Sequence, residues 1–427
     1  MSSAVDQSSF LRHAKVISAL TLVSRIFGMI RETALATFLG AGVVATAFRV
    51  AFAVPNLFRK LFGEGALSAA FIPLYSQALK EQSPEEARRF AAASVNLLTA
   101  ILVAITIIGE AILISLIIFA DPQRLSFILM LKLSAIMLPY VVLICLTAFL
   151  SAILQTHRYL AMPAFAPVLL NIIHIAVTAF GGWLLGITVA ADDAEKLQKQ
   201  TTLAWWLAAF VVIAGVAQIL VLVPSLRRVG FRFSLRQSIW IPPVRRMLVL
   251  SIPVALAAGV LQISVLMDKG ISAFLAQDLT REGQLITHFS FFGRMVRYPM
   301  ELGAVPRLDM AQVLYQFPLG IFAIAIATAI FPSLSSDALE RDGSRFNSSL
   351  RTGIEATLFE GFAASVGLII VRYPVVRLLL QYGAMTEHDV ALIAKSLCIY
   401  SSAIWAYSMQ QIINRAYYAL HDTKTPF

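Results

Sequence analysis

The chain of 427 residues has only two cysteines, Cys145 and Cys398, and both lie in apolar runs. They exclude a disulfide framework and offer no spacing for a structural metal. Charge is scarce as well. Asp, Glu, Lys and Arg make up 14% of the residues, where an ordinary soluble domain has about 25%. No polar stretch is long enough to form a large soluble domain. The Gly-x-x-x-x-Gly-Lys-Ser/Thr pattern of a phosphate loop is missing, so no ATP-driven motor is expected in this chain. His-Glu-x-x-His is missing too. The Asp192-Asp193 pair has no second aspartate cluster with which to hold Mg²⁺ on a prenyl diphosphate. Enzymatic catalysis is therefore not expected. The stretch from Met1 to Phe10 is polar and lacks a basic n-region, so a cleaved signal peptide is not expected either.

Apolar sequence is what the chain has in abundance. Hydrophobic residues reach 59% and the mean hydropathy is +0.78. A helix that crosses a bilayer needs about 20 mainly apolar residues. Ten stretches qualify: 17–39, 43–77, 90–120, 126–154, 159–187, 202–224, 245–277, 308–335, 350–372 and 388–419. The expected fold is an all-α polytopic membrane protein with about ten transmembrane helices. The net charge of +10 comes from basic residues gathered after every second span, among them Lys80, Arg88, Arg89, Arg158, Arg227, Arg228, Arg341 and Arg345. Basic loops stay cytoplasmic. The expectation is thus a protein of the cytoplasmic (inner) membrane with a cytoplasmic N-terminus, and the charge does not imply a nucleic-acid partner. The partly polar stretch 278–307 stands apart, and its segment Phe289 to Met300 reads as an amphipathic interfacial helix.

The two halves of the chain repeat weakly. Phe71-Ile72-Pro73-Leu74-Tyr75-Ser76 closes the second span, and Phe331-Pro332-Ser333-Leu334-Ser335-Ser336 closes the eighth. The fourth span exits through Gln155-Thr156-His157-Arg158, and the tenth through His421-Asp422-Thr423-Lys424. Two pseudo-symmetric lobes are expected, 1–228 and 229–427. Because six spans precede the second lobe, the repeats would run parallel. On that pattern the second lobe is expected to be incomplete by at least two helices.

Several charges fall inside apolar stretches. The first span contains Ser24-Arg25-Ile26-Phe27-Gly28-Met29-Ile30-Arg31-Glu32, and the second contains Pro55-Asn56-Leu57-Phe58-Arg59-Lys60 followed by Glu64-Gly65. Each charge at membrane depth costs roughly 2.5–3.5 kcal/mol on insertion scales, so such residues normally face a bundle interior or a wet cavity. Arg25 and Glu32 are seven apart and share a helix face, whereas the adjacent Arg31 and Glu32 diverge and are expected to pair poorly. A guanidinium fork matches phosphate oxygens in pairs, and a lysine adds a point charge. A cavity holding Arg25, Arg31, Arg59 and Lys60 would suit a diphosphate. The competing reading is structural ion pairs or snorkelling anchors, which applies best to Lys60 and Glu64 near a span end. Arg49 reads as an interfacial or gate residue. Asp268 in the seventh span is a weak candidate to ligate a cation. His174, the lone histidine of the fifth span, reads as a hydrogen-bonded core residue.

At these motifs the chain resembles the MurJ (MviN) family of lipid II flippases, within the multidrug/oligosaccharidyl-lipid/polysaccharide exporter superfamily. The resemblance rests on Ser24-Arg25-x-x-Gly28-x-x-Arg31-Glu32 and on Pro55-Asn56-x-x-Arg59-Lys60-x-x-x-Glu64-Gly65-Ala66. It extends through Met162-Pro163 with Asn171, Gln316-Phe317-Pro318, and Asp422-Thr423-Lys424-Thr425-Pro426. It implies alternating-access transfer of lipid II, or a related undecaprenyl-diphosphate lipid, from the inner to the outer leaflet by a monomer. Arg25, Arg31 and Arg59 would bind the cargo, and Glu32 and Glu64 would fill the family's acidic positions. The family also carries an arginine five residues before a proline of the eighth span, but here that register before Pro318 holds Val313. Arg294, which has the same spacing before Pro299, and Arg307 are the expected substitutes, with Arg294 preferred. No cofactor is implied beyond a monovalent cation such as Na⁺. The alternative is export of another undecaprenyl-linked oligosaccharide, or drug/ion antiport within the same superfamily.

Overall fold

The computed structural model describes residues 22–63, 66–119, 124–234, 238–280, 282–321, 323–338, 343–420, 422 and 425. The chain divides into two compact units, Met1–Val305 and Pro306–Phe427. In the first, helix α1 covers 22–39. It is followed by α2 (Val43–Phe58), a π-helical turn (Arg59–Gly63), α3 (Ala66–Glu81), α4 (Pro84–Phe119), α5 (Leu125–Met137), α6 (Tyr140–Thr156), α7 (Ala161–Leu184), α8 (Asp193–Arg228) and α9 (Pro242–Phe274). Two short hairpins come next, β1 (Asp278–Leu279) with β2 (Leu285–Ile286) and β3 (His288–Phe291) with β4 (Arg294–Arg297). Helix α10 (Ala304–Ile321) leads into the second unit, which holds α11 (Ala323–Asp337), α12 (Ser344–Leu380), α13 (Glu387–Ser402) and α14 (Ile404–Ala419).

Each of the ten apolar stretches is mainly helical where it is described. Among the described residues, α4, Ala161–Val189, α8 and α12 are each long and apolar enough to cross a membrane. The pairs α5–α6 and α13–α14 pass the same test together, bent by 48° and 41°. The first bend sits at Pro139, which has no N–H to continue the ladder and whose ring crowds the preceding turn. The second has no proline. There the Ala403 N–H donates to Tyr400 O, a tighter i→i−3 bond that ends one helix and starts the next. Outward faces are apolar, as with Ile107, Ile108, Ile112 and Ile118 on α4. An apolar face turned outward suits a lipid surround, and the chain is a multi-pass membrane protein.

The core of the first unit forms where α3, α4 and α6 meet. The Phe71 ring lies 5.0 Å from Tyr75, 5.4 Å from Phe90 and 4.5 Å from Phe149. All four rings are almost fully buried, and each aromatic of this size removes about 150–250 Å² from the surroundings. Helix α7 meets α1 at Gly182, where any β-carbon would collide with the Phe38 ring. Helix α9 packs against α2, α3 and the π turn inside the first unit. The division at 305/306 therefore differs from the boundary expected at 228/229.

The segment read as an interfacial helix from Phe289 to Met300 is instead the β3–β4 hairpin, paired in the register His288–Arg297, Phe289–Val296, Ser290–Met295 and Phe291–Arg294. The reason is local. Phe292 and Gly293 both adopt positive φ, 48° and 77°, as a two-residue primed turn requires. Apolar and polar residues also alternate in His288-Phe289-Ser290-Phe291, a period of two rather than 3.6. The hairpins are tied down by Asp278, which is 1% exposed. It accepts from Ser126 and from Arg124 Nε at 3.3 Å, and the Arg124 guanidinium lies over the rings of Phe274 and Tyr298 at 5.8 and 5.4 Å.

Candidate functional site

Pro55 sets the local geometry of the second span. It removes one backbone donor from α2, and the helix widens four residues later into the π turn that carries Arg59 and Lys60. Asn56 Nδ2 donates back to Phe52 O at 3.3 Å, which supplies that carbonyl with a partner beside the widened turn. The turn points the two basic residues differently. Arg59 is half-buried and borders a cavity of about 330 Å³ inside the first unit, while Lys60 is exposed.

One turn of α1 carries the densest charge. Glu32 is 4% exposed and accepts from two guanidinium groups, Arg31 Nη2 at 2.9 Å and Arg49 Nη2 at 2.7 Å. The pairing of Arg31 with Glu32 corrects the expectation that these neighbours diverge. Their Cβ atoms do diverge on the helix, but the arginine stem is long enough for its head to swing round to the carboxylate. Arg31 Nη1 also donates to Asn171 Oδ1 of α7 at 3.0 Å, and Asn171 Nδ2 donates in turn to Ser24 O of α1 at 3.3 Å. A β-carbon at Gly28 would stand 4.0 Å from the same amide, so α1 presents this face to α7. Arg25 lies half-buried two turns before Glu32.

Two guanidinium groups share one carboxylate in this triad. Among the described residues, Arg31 Nε is buried with no hydrogen-bond partner. Buried donors are almost always satisfied in native structures, and an orphan calls for a ligand, a water or an ion. His174 is a second departure from expectation. It is 1% exposed, as a core residue should be, but neither ring nitrogen has a hydrogen-bond partner. Its ring instead packs against Phe52 at 5.4 Å and Phe48 at 6.2 Å.

The remaining sequence-derived residues lie elsewhere. Glu64 lies outside the described residues. Arg294 is exposed on β4, opposite Phe291, on a hairpin strand and not on the interfacial helix expected for Phe289 to Met300. Arg307 belongs to α10 in the second unit, where its Nη2 pairs with Asp389 Oδ1 at 2.7 Å. Asp389 also closes the capping box of α13, accepting from the Thr386 N–H and hydroxyl. Sequence reasoning missed Asp389, although Thr386-x-x-Asp389 before an apolar run is a helix-start signature. Asp268 is exposed on α9, and no cluster of three or more His, Cys, Asp or Glu occurs among the described residues. A hard cation takes about six oxygen ligands, so Asp268 alone does not make a cation cage.

Comparison with known proteins agrees with this architecture. Residues 35–427 match the family described as lipid II flippase MurJ. The probable lipid II flippase MurJ of Rhizobium meliloti strain 1021 is 32% identical over 98% of this chain and 72% of its own length. The solved structure of lipid II flippase MurJ in an inward closed conformation superposes with a TM-score of 0.71 at 25% identity, covering 96% of this chain and 77% of that one. An inward-facing multidrug resistance MATE family transporter of the MOP superfamily reaches the same TM-score at 13% identity, over 96% of this chain and 85% of its own, and shares the fold alone. With its match to the family over nearly the whole chain, and with half-buried arginines on the motif that first indicated it, this protein belongs to the lipid II flippase MurJ family.

Proposed function

We propose that this chain carries lipid II across the cytoplasmic membrane, from the inner to the outer leaflet, by alternating access. It is a transporter, not an enzyme. The observation that carries the reading is the Arg31–Glu32–Arg49 triad, in which Arg31 Nε is buried without a hydrogen-bond partner among the described residues. A polar headgroup cannot cross about 30 Å of hydrocarbon unaided, and fixed cations replace the water it gives up. Arg25, Arg31 and Arg59 dock the diphosphate. Glu32, held by Arg49 and with Asn171 beside it, fixes the position of Arg31. The prenyl tail stays in lipid while the headgroup moves. The N-terminus is cytoplasmic, the protein acts as a monomer, and the membrane potential can supply roughly 2.3 kcal/mol per elementary charge per 100 mV for resetting.

The test uses the full chain in vesicles that contain labelled lipid II. The wild type is expected to move label between leaflets. Arg31→Ala and Arg59→Ala are each expected to lower the initial rate at least tenfold while the protein keeps its melting temperature to within a few degrees. Wild-type rates in both variants would remove these arginines from the site.

A further inference from the structure

The β3–β4 hairpin is held firmly at its base and left bare at its tip. Backbone bonds close its neck: the Gln277 N–H donates to Met300 O at 2.9 Å, and the Met300 N–H donates to Leu275 O at 3.2 Å. Arg124 Nη2 adds donations to Ala273 O at 3.3 Å and Ala276 O at 3.5 Å, beside its pair with the buried Asp278. At the far end Phe292 is 93% exposed, and Phe291 and Met295 beside it are exposed as well. A two-stranded hairpin is marginal in water unless something packs on it. An exposed apolar cluster of this kind marks an interaction surface.

The strand register sorts the side chains. Directly paired residues share a face, and neighbours along a strand alternate. One face therefore carries Phe289, Phe291, Val296 and Arg294, and the other carries His288, Ser290, Met295 and Arg297. The first face joins an apolar strip that starts on α9. Val260, Met267, Ile271 and Phe274 are all exposed and fall on one stripe of that helix. The Phe274 ring lies 6.0 Å from Phe289, Phe289 lies 6.3 Å from Phe291, and Phe291 lies 4.7 Å from Phe292. Rings thus run without a gap from the outward side of a membrane helix to the tip of the hairpin. The charge beside them has one sign. His288 to Arg297 includes two arginines and no carboxylate, and both arginines are exposed.

We infer that the β3–β4 hairpin is a lipid-binding anchor, which sets the Phe291-Phe292 tip into the bilayer interface and holds anionic phospholipid headgroups with Arg294 and Arg297. The leaflet is the one at the C-terminal end of α9, remote from Arg245 and Arg246, which the orientation proposed above makes the outer leaflet. Two observations choose lipid as the occupant. The hairpin's apolar face continues the lipid-facing strip of α9, and its cations stand beside that face, where aromatic rings and basic side chains meet headgroups at an interface. Anionic headgroups complement the two arginines. The clamped neck gives the anchor its use: with Arg124 and Asp278 fixing the base, a tip seated in the interface fixes the height of the end of α9.

The experiment places a nitroxide on the full chain in vesicles, at Phe292→Cys or, on the polar face, at Ser290→Cys. Cys145→Ala and Cys398→Ala remove the two native thiols. Accessibility is read as the ratio of collisions with oxygen, which partitions into lipid, to collisions with a water-soluble nickel chelate. In vesicles of phosphatidylcholine with about 30% phosphatidylglycerol, the ratio at position 292 is expected to exceed that at 290 at least fivefold. Omitting phosphatidylglycerol should lower the ratio at 292 about twofold. That response should vanish when Arg294→Gln and Arg297→Gln are combined. A ratio at 292 no higher than at 290, or one that phosphatidylglycerol does not move, overturns the inference. So does spectral broadening that disappears on dilution with unlabelled chain, since it would seat the tip against a second copy. Transfer of labelled lipid II is measured separately, so failure of the anchor leaves the flippase reading standing.

Discussion

The two units each bury an arginine–carboxylate contact, yet the two contacts do opposite things. In the first unit, Glu32 faces both Arg31 and Arg49, and Arg31 Nε is left without a hydrogen-bond partner among the described residues. In the second, Asp389 meets Arg307 and spends its second oxygen on the Thr386 cap of α13. The first contact concentrates cations against α7, with a donor still open. The second uses its carboxylate to start a helix and hold it to α10. The difference lies in stoichiometry and not in burial, since Glu32 and Asp389 are 4% and 6% exposed. A buried carboxylate shared by two arginines makes a binding surface possible. One matched by a single arginine and by a cap makes a joint.

The strongest challenge to this contrast is Glu32→Gln. It takes the shared carboxylate away from two guanidinium groups, and loss of one partner from a buried pair costs about 3–5 kcal/mol. The unfolding free energy in an SDS titration should fall by about that much, with transport lost as well. An unchanged unfolding curve would mean that the triad does not exist in the membrane. Asp389→Asn should cost less, about 2–3 kcal/mol, from a charge-assisted bond and a weakened cap. Transport should persist. If Asp389→Asn abolished transport without loss of stability, the second contact would belong to the cargo path and the contrast would collapse. Asn171→Ala removes the amide that joins Arg31 to α7 and should cost about 1–2 kcal/mol. It should also slow lipid transfer severalfold while Arg59-dependent binding of bare undecaprenyl diphosphate is retained. The smallest effect is expected for Arg294→Ala on the exposed hairpin, with transfer rates within twofold of wild type. A loss as large as that of Arg31→Ala would place β4 in the site.

Much of the helical layout could be read from the chain because membrane helices are specified locally. Hydropathy summed over some 20 residues is the same physical quantity that drives burial in lipid. The third span of each half, α4 and α12, runs 36 and 37 residues without a break, and the fourth span of each half is bent, by 48° and 41°. The bend at Ala403 was not legible, because an i→i−3 bond leaves no residue signature comparable to Pro139. The β3–β4 hairpin was misread because its aromatics satisfy a helical stripe as well as an alternating one, and the Phe292-Gly293 turn decides between them.

The site was legible by residue type but not by partner. That Arg25, Arg31, Arg59 and Glu32 lie inside apolar segments follows from the order of residues alone, because a charge cannot leave its span. Which charges meet depends on contacts between residues far apart in the chain. Arg49 reaches Glu32 across 17 positions, Asn171 reaches Arg31 across 140, and Arg307 reaches Asp389 across 82. Local composition thus placed cations in the membrane. Only packing, which brings distant side chains within a hydrogen-bond length, decided which of them are neutralised and which are left to bind.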